Sequence, residues 1–456
     1  MISQLKLKNV GPIKQANIKF NNLTIISGRN GVGKTYLSYT YFLLVDKFRD
    51  ELRNIIVIPK AFRTLVEEVA ESSSVSIKNA SFKLKDFNIS EETLKEALRK
   101  ASSSVDILKD LDLPYDDNVK TQVEGILDES FLSNAYSFEV RERLYSDLKF
   151  ELIKEKESET INIQIVKEDP IRLDPISITM DASFIISLFL TEGLFKLTQF
   201  PITSERTGIS LFNNELTKFN RRGRTSLEKN EERYSLPIEL NISNYRLIKN
   251  RLVTYNDWTQ KIKPGFQSQV HEVLGGHYEV DEQEIYFRPK GRNIRVPLKS
   301  SSGASKSLML LDYFMYTYRG YGSLIIDEPE LNLHLDSQKE IARILCSIAN
   351  QGIQVVVTTH SDHFIREINN LIMLSSPKIA SHVKQKIMKD SGIRNDSIIS
   401  PDKVSTVVIS AEKRQSFDMP VSEYGIDLQL FNDEIMKSND ITHELMMAIY
   451  EAPNDK

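Results

Sequence analysis

Cysteine is almost missing from this 456-residue chain: the single one, Cys346, lies in the apolar run IARILCSIA. One thiol builds neither a disulfide framework nor a cysteine zinc site, and such scarcity fits a reducing compartment. Cys346 itself reads as a buried core thiol. Long apolar runs are missing too. The longest, around Ala182 to Leu190, is far too short to cross a bilayer. The opening MISQLKLKNVGPIKQANIKF alternates apolar with polar residues where a signal peptide carries an apolar block. A cytoplasmic location with no membrane association is therefore expected. Charge of one sign is not in excess: 59 Lys and Arg stand against 63 Asp and Glu, a net charge of −4. Bulk charge therefore gives no indication of nucleic acid, although a local basic face stays open. No heptad pattern persists and no internal repeat is visible, so long coiled-coil arms are not expected.

What is present is an ordinary globular composition, 40% hydrophobic and 27% charged, in a length that fits about two to three structural units. Residues 1–46 read as strand, turn, strand, loop, helix. Inside them Gly28-Arg29-Asn30-Gly31-Val32-Gly33-Lys34-Thr35 meets every constrained position of the phosphate-loop pattern GxxxxGK[ST]. The apolar run Leu23 to Ile26 precedes it and a helical stretch from Lys34 to about Asp46 follows. The glycines let backbone N–H groups, those of Asn30, Gly31 and Gly33 among them, close around a polyphosphate. Lys34 would reach the β- and γ-phosphates of ATP, and the Thr35 hydroxyl would hold Mg²⁺.

Residues 47–274 change character. Helical pieces such as EETLKEALRKA alternate with strand-like pieces such as INIQIV and ISITM, which reads as an insertion covering or flanking the nucleotide site. KFNRRGRTSLEKNEER, from Lys218, reads as a solvated loop; phosphate-backbone contact through Arg221, Arg222 and Arg224 is the lesser reading. Residues 275–456 return to strands (HYEV, EIYF, IRVPL), then strand, helix, strand, helix, strand. That alternation signals a mostly parallel sheet with crossover helices, hence an α/β fold. Val404 to Ile409 is one more strand, and a last helix is expected from about Asn432.

Three further segments carry chemistry. Leu324-Ile325-Ile326-Asp327-Glu328 is a buried strand ending in two acids, and at the carboxyl end of a parallel strand Asp327 can hold Mg²⁺ through water. Glu328 can then act as general base toward the attacking water. Val355 to Thr359 is a second buried strand, ending at His360, which can bond the γ-phosphate or orient that water. His363 nearby lacks the partners of a zinc site. Ser300 to Ser305 opens a helix with small residues, leaving N–H groups free to receive a phosphate.

Taken in order, these segments resemble the ABC-type ATPases, and within them the branch with RecF, the structural-maintenance-of-chromosomes (SMC) proteins and the OLD (overcoming lysogenization defect) family. IIDEPELNLHLDSQ and VVVTTHSDHFIREINNLI are similar to the OLD-type AAA proteins of anti-phage systems such as Septu and PARIS. The resemblance is firm over about 1–45 and 295–375 and poor between. It implies an ABC-type head with an N-terminal antiparallel β element and a large, mainly helical insertion. It also implies that Ser302 and Gly303 are the signature pair, contacting the γ-phosphate bound by a second subunit, and that His360 is the switch histidine. A head-to-head homodimer with ATP between the heads follows from the same resemblance. SSGAS in place of a full LSGGQ departs from the pattern. Thr203-Ser204-Glu205-Arg206 looks like a motif some relatives carry near the nucleotide; for Arg206 a direct role and a surface ion pair are both open.

The function expected first is an ATPase that senses or regulates within an anti-phage module and controls an effector encoded nearby. A RecF-like DNA-maintenance ATPase and a nucleotide-gated scaffold with little hydrolysis are the alternatives. The residues after His360 are too few for the Toprim nuclease of OLD enzymes beside the last strand and helix of the head, and Asp110-Leu111-Asp112 lies on the wrong side of the core. No nuclease in cis is expected.

Overall fold

The computed structural model describes residues 2–111, 120–128, 138–144, 148–155, 158–170, 173–212, 234–251, 266–281, 284–317 and 322–427. Arg221, Arg222, Arg224, Asp112 and the helix expected from Asn432 lie outside the described residues.

The strands, in chain order, are β1 (Ile2–Val10), β2 (Ile13–Lys19), β3 (Leu23–Gly28), β4 (Ser76–Lys83), β5 (Gln122–Leu127), β6 (Phe138–Leu144), β7 (Leu148–Lys154), β8 (Thr160–Lys167), β9 (Gln199–Ile202), β10 (Gly276–Asp281), β11 (Glu284–Pro289), β12 (Val296–Pro297), β13 (Ser323–Asp327), β14 (Gln354–Thr359), β15 (Val404–Ile409) and β16 (Ser416–Asp418). The helices used below are α1 (Lys34–Ile55), α2 (Lys60–Glu71), α3 (Glu91–Ser104), α4 (Pro175–Phe189), α5 (Leu236–Arg251), α6 (Phe266–Leu274), α7 (Gly303–Thr317), α8 (Leu335–Asn350), α9 (Asp362–Ser375) and α10 (Ser381–Ser391).

Six strands form the main sheet in the order β16-β15-β3-β14-β13-β9. All but the β15–β16 pair run parallel. Helices cover both faces, so successive strand residues divide between two cores. Leu324, Ile326, Val355 and Val357 enter one apolar cluster with α7, α8 and α9. Ile325 and Val356 enter the other, with α1 and the N-terminal sheet. The fold is thus a mixed α/β head with a mostly parallel central sheet.

Among the described residues four antiparallel sheets accompany it: β2-β1-β5, β10-β11-β12, β4-β8-β7-β6 and a two-stranded pair of Val421–Ser422 with Gly425–Ile426. The stretch 47–274 is a mixture of helices and strands, and two of its strands enter the head. β5 pairs with β1, and β9 is the edge strand beside β13. Helix α1 runs on to Ile55, past residue 46, because Leu44, Phe48 and Leu52 continue its buried face.

The strand-like reading of ISITM is corrected: Ile176 to Met180 lie in α4. Asp174 caps that helix, its carboxylate accepting from the Ser177 N–H at 3.0 Å, and Pro175 takes the first turn. Ile178, Ala182 and Ile186 then bury at helical spacing, which outweighs the β-branched preference. With the turn that follows, Pro175–Leu194 is one helix long and apolar enough to span a bilayer by length and composition. Its inner face packs on α2, while Ile176, Met180 and Phe184 are exposed. Cys346 is fully buried in α8, and burial pushes its thiol pKa up.

Candidate nucleotide site

Parallel pairing brings three strand ends to one edge of the sheet, where open α/β sheets place their ligands. Thr359 pairs with Ser27 and Asp327 with Thr358. Gly28, Asp327, Glu328 and His360 therefore emerge side by side. The loop 28–35 turns from β3 into α1. Gly33 is its N-cap, with φ of +103°. A Cβ there would lie 2.8 Å from atoms of Pro12 and Ile13, so only glycine fits the position in both backbone and space.

The Lys34 ammonium donates to the carbonyls of Gly28 (2.9 Å) and Arg29 (3.0 Å), across the mouth of the loop. Burial lowers its pKa, and Glu328, Asp327 and Glu330 pull the other way. The Thr35 hydroxyl donates to Asp327 Oδ2 at 2.9 Å, joining residues 292 positions apart. Asn30 and Gly31 stand at the exposed tip of the loop.

Asp327 is nearly inaccessible. Its pKa is raised, first by burial and then by the charges of Glu328 and Glu205, against hydrogen bonds from Thr358 and Thr35. Two hard oxygens in contact, in a buried and over-negative setting, fit a magnesium ion that keeps most of its shell as water and phosphate. Among the described residues no group of three or more His, Cys, Asp or Glu is arranged to hold a metal ion.

Glu328 takes φ of +48°, a strained setting for a non-glycine residue. Its N–H donates to the Thr358 carbonyl at 3.0 Å. Its carboxylate is partly exposed and lies 3.5 Å from His360 Nδ1. His360 is half exposed, and its N–H donates to Glu330 Oε1 at 3.2 Å.

The surface ion pair open to Arg206 is not formed. The residue is buried, 1% exposed, and its guanidinium bonds the backbone beside the acid pair. Nε donates to the Ser307 carbonyl and hydroxyl, both at 3.0 Å. Nη1 donates to the carbonyls of Thr203 (3.0 Å) and Asp327 (2.7 Å), and Nη2 to that of Glu328 (2.6 Å). One guanidinium thus ties the end of β9, helix α7 and the backbone of both acids together.

Ser302 caps α7, its Oγ accepting from the Ser305 N–H at 3.1 Å. Gly303 abuts Asn332, where an added Cβ would meet the side chain at 3.2 Å. The side-chain hydrogen bonds of Ser302 stay within its own helix start, and none reaches the loop 28–35. The structure therefore gathers Lys34, Thr35, Asp327, Glu328 and His360, and sets Ser302 and Gly303 on a separate helix end.

Two acids to which sequence reasoning gave no role also stand at the site. Glu330 is buried beside His360, its Oε1 accepting from Thr359 Oγ1 at 2.6 Å while Oε2 has no partner. Glu205 lies one residue before Arg206, 3.4 Å from the Tyr39 hydroxyl of α1, and its charge reaches Asp327. Burial, Asp327 and Glu205 together hold the Tyr39 pKa well above its usual value. The acidic spacing DEPE contained a signal for Glu330; Glu205 needed the pairing of β9 with β13.

A raised carboxylate pKa means that the folded chain binds a proton more tightly than the unfolded one. Below the ordinary carboxylate pKa of 3.8 Asp327 then costs nothing. Its charge costs stability as pH climbs through the raised value, and the full cost persists above it. Asp327→Asn is accordingly expected to raise the Tm at neutral pH without nucleotide. It should also abolish the extra stabilisation that magnesium adds to ATP. Thermal denaturation with and without magnesium–ATP checks both, and an unchanged magnesium response would remove Asp327 from the metal.

A family model described as an AAA ATPase domain matches residues 1–365. No curated protein matches the chain. Among solved structures, an SMC head bound to the C-terminal winged-helix domain of ScpA aligns at 10% identity and TM-score 0.35, covering 92% of this chain and 98% of that one. The SMC head domain of Thermotoga maritima aligns at 12% and 0.29, with coverages of 92% and 98%. A Pyrococcus furiosus Smc head with an extended coiled coil, bound to the C-terminal domain of ScpA, gives 12% and 0.34, with 98% and 99%. At these scores the likeness is distant.

Proposed function

The chain belongs to the AAA ATPase domain family, and from that premise we propose that it is an ABC-type head that hydrolyses ATP between two copies of itself. In this reading the head is the regulatory subunit of an anti-phage module, is cytoplasmic, and holds or releases an effector encoded nearby. The observation that carries the ATPase reading is the 2.9 Å hydrogen bond from Thr35 to Asp327, which sets the phosphate loop directly beside the acid pair. The anti-phage role rests on the resemblance of IIDEPELNLHLDSQ and VVVTTHSDHFIREINNLI to OLD-type proteins.

Hydrolysis needs the γ-phosphoryl charge neutralised and a water held in line. Lys34 and the N–H groups of Asn30, Gly31 and Gly33 take the first task. Thr35 and Asp327 would hold a magnesium ion, which would supply further neutralisation of the phosphate charge. Glu328 accepts the proton of the attacking water, and His360, 3.5 Å from it, orients the pair. Ser302 and the free N–H groups at the start of α7 complete the neighbouring subunit's site.

Mixed dimers test that division. Lys34→Ala and Ser302→Arg chains should each be inactive alone. Mixed, they assemble one intact site, from the Ser302→Arg loop and the Lys34→Ala signature, and phosphate release should return toward half the parent's. Absence of any recovery in a mixture shown to contain heterodimers would mean that each copy completes its own site. The effector reading is tested by co-expressing the adjacent gene product: ATP should change its association with this chain, and indifference to ATP would remove the gating role.

A further inference from the structure

We propose that the cleft between α6 and the β10–β11 hairpin is a second ligand site, built for a small phosphorylated molecule and linked to the start of α7. The cleft has a volume of about 610 Å³, within the range of small-molecule sites. It shares no residue with the loop 28–35, the acid pair or His360. Arg288, Lys290, Arg292, His271 and His277 line it, against one carboxylate, Glu272. Arg288 is paired with Glu279, which leaves Lys290 and Arg292 against Glu272, a small local excess of positive charge in a chain of net charge −4.

The cations are held in place. Glu279 accepts from Arg288 through Nε (2.5 Å) and Nη2 (3.0 Å), and its Oε1 lies 3.1 Å from His277 Nε2. The turn that carries Lys290 and Arg292 is pinned by the Lys290 N–H donating to the Gly275 carbonyl at 2.8 Å. Gly291, at its apex, has φ of +73° and open space where a side chain would stand. Among the described residues Lys290 and Arg292 make no ion pair, and both are exposed at the rim. A concave site with guanidinium and ammonium groups around a bare glycine turn suits phosphate oxygens. The exposed basic groups gather at one turn beside an open cleft rather than along a stripe, which favours a small molecule over a nucleic-acid backbone.

The floor of the cleft touches the helix that carries Ser302 and Gly303. His271 Nε2 lies 2.8 Å from Asp312 Oδ1, and Gln267 donates to Asp312 Oδ2 at 3.3 Å. The Tyr278 hydroxyl donates to the Ser305 carbonyl at 2.5 Å. Asp312 and Ser305 are both buried on α7. A ligand that shifts α6 or β10 therefore moves the helix end offered to a partner's nucleotide. This link rests on the trans-signature reading above; binding at the cleft does not.

The test uses the full chain with its nucleotide site filled by magnesium–AMPPNP. Inorganic pyrophosphate and AMP are titrated in turn, with a short single-stranded oligonucleotide as a separate arm. One further equivalent per chain of at least one small probe is expected. Lys290→Gln/Arg292→Gln should weaken it tenfold or more and leave AMPPNP binding unchanged. No second equivalent, equal affinity in the double variant, or binding of the oligonucleotide alone each overturns the site. The same titration on Lys34→Ala should still show the cleft equivalent, so failure of the ATPase reading leaves the result legible. The dimer fraction with AMPPNP should change on adding the bound probe, and an unchanged fraction overturns the link to α7.

Discussion

Glu328→Gln is expected to bind magnesium–ATP as the parent does and to release phosphate about 10² to 10³ times more slowly. The amide keeps the size of the side chain and loses the charge that accepts the water's proton. Backbone constraints at position 328 are independent of the side-chain end. The N–H still meets Thr358, and the carbonyl still meets Arg206. The variant should thus remain folded and accumulate as the ATP-bound dimer, seen by light scattering. Lys34→Ala should differ in kind, since it loses productive nucleotide binding and never dimerises with ATP. Unchanged phosphate release in Glu328→Gln would pass the base role to Glu330, whose buried Oε2 has no partner and whose Oε1 sits 3.7 Å from His360 Nδ1. A parent that releases phosphate no faster than Lys34→Ala would instead favour the nucleotide-gated scaffold.

The main sheet was legible in the sequence because its strands are short, fully apolar and bounded by chemistry-bearing ends. Leu23 to Ile26, Leu324 to Ile326 and Val355 to Val357 leave no alternative to burial on both faces. Parallel order then follows from the helices between them, and the meeting of Lys34, Thr35 and Asp327 follows from the order. The stretch 47–274 was harder to read for a physical reason. ISITM has the composition of a strand, and only the Asp174 cap and its packing against α2 decide for helix. The strand-like FPI before Thr203 does lie in an edge strand, but so short a run does not announce its neighbour, so which acids Glu205 and Arg206 would meet could not be read from spacing. Their location is a property of the β9–β13 pairing.

That pairing makes Arg206 the residue whose loss should cost most. Arg206→Met removes every donor of the guanidinium at once and leaves the carbonyls of Thr203, Ser307, Asp327 and Glu328 facing an apolar side chain. The Thr203 carbonyl keeps the N–H of residue 206 and the Glu328 carbonyl keeps that of Leu331, so the cost is chiefly that of losing several coupled, charge-assisted hydrogen bonds and of burying their remaining polarity, about 3–5 kcal/mol in total. Chemical denaturation measures it. Lysine should rescue only in part, because a compact ammonium cannot span acceptors on three elements as a planar fork does. The loss has an electrostatic side as well. Burial weakens Arg206's hold on its proton, while Asp327, Glu330 and Glu328 strengthen it, so without Arg206 their charges are opposed chiefly by Lys34. Magnesium–ATP should then restore more stability to Arg206→Met than it adds to the parent. The ATPase rate should remain low even when the fold is rescued, because the Leu331 N–H that still meets the Glu328 carbonyl lies in the same loop and does not tie that left-handed backbone to α7 as the guanidinium does. A variant that denatures with the parent and hydrolyses within about twofold of it would show that the clamp is dispensable.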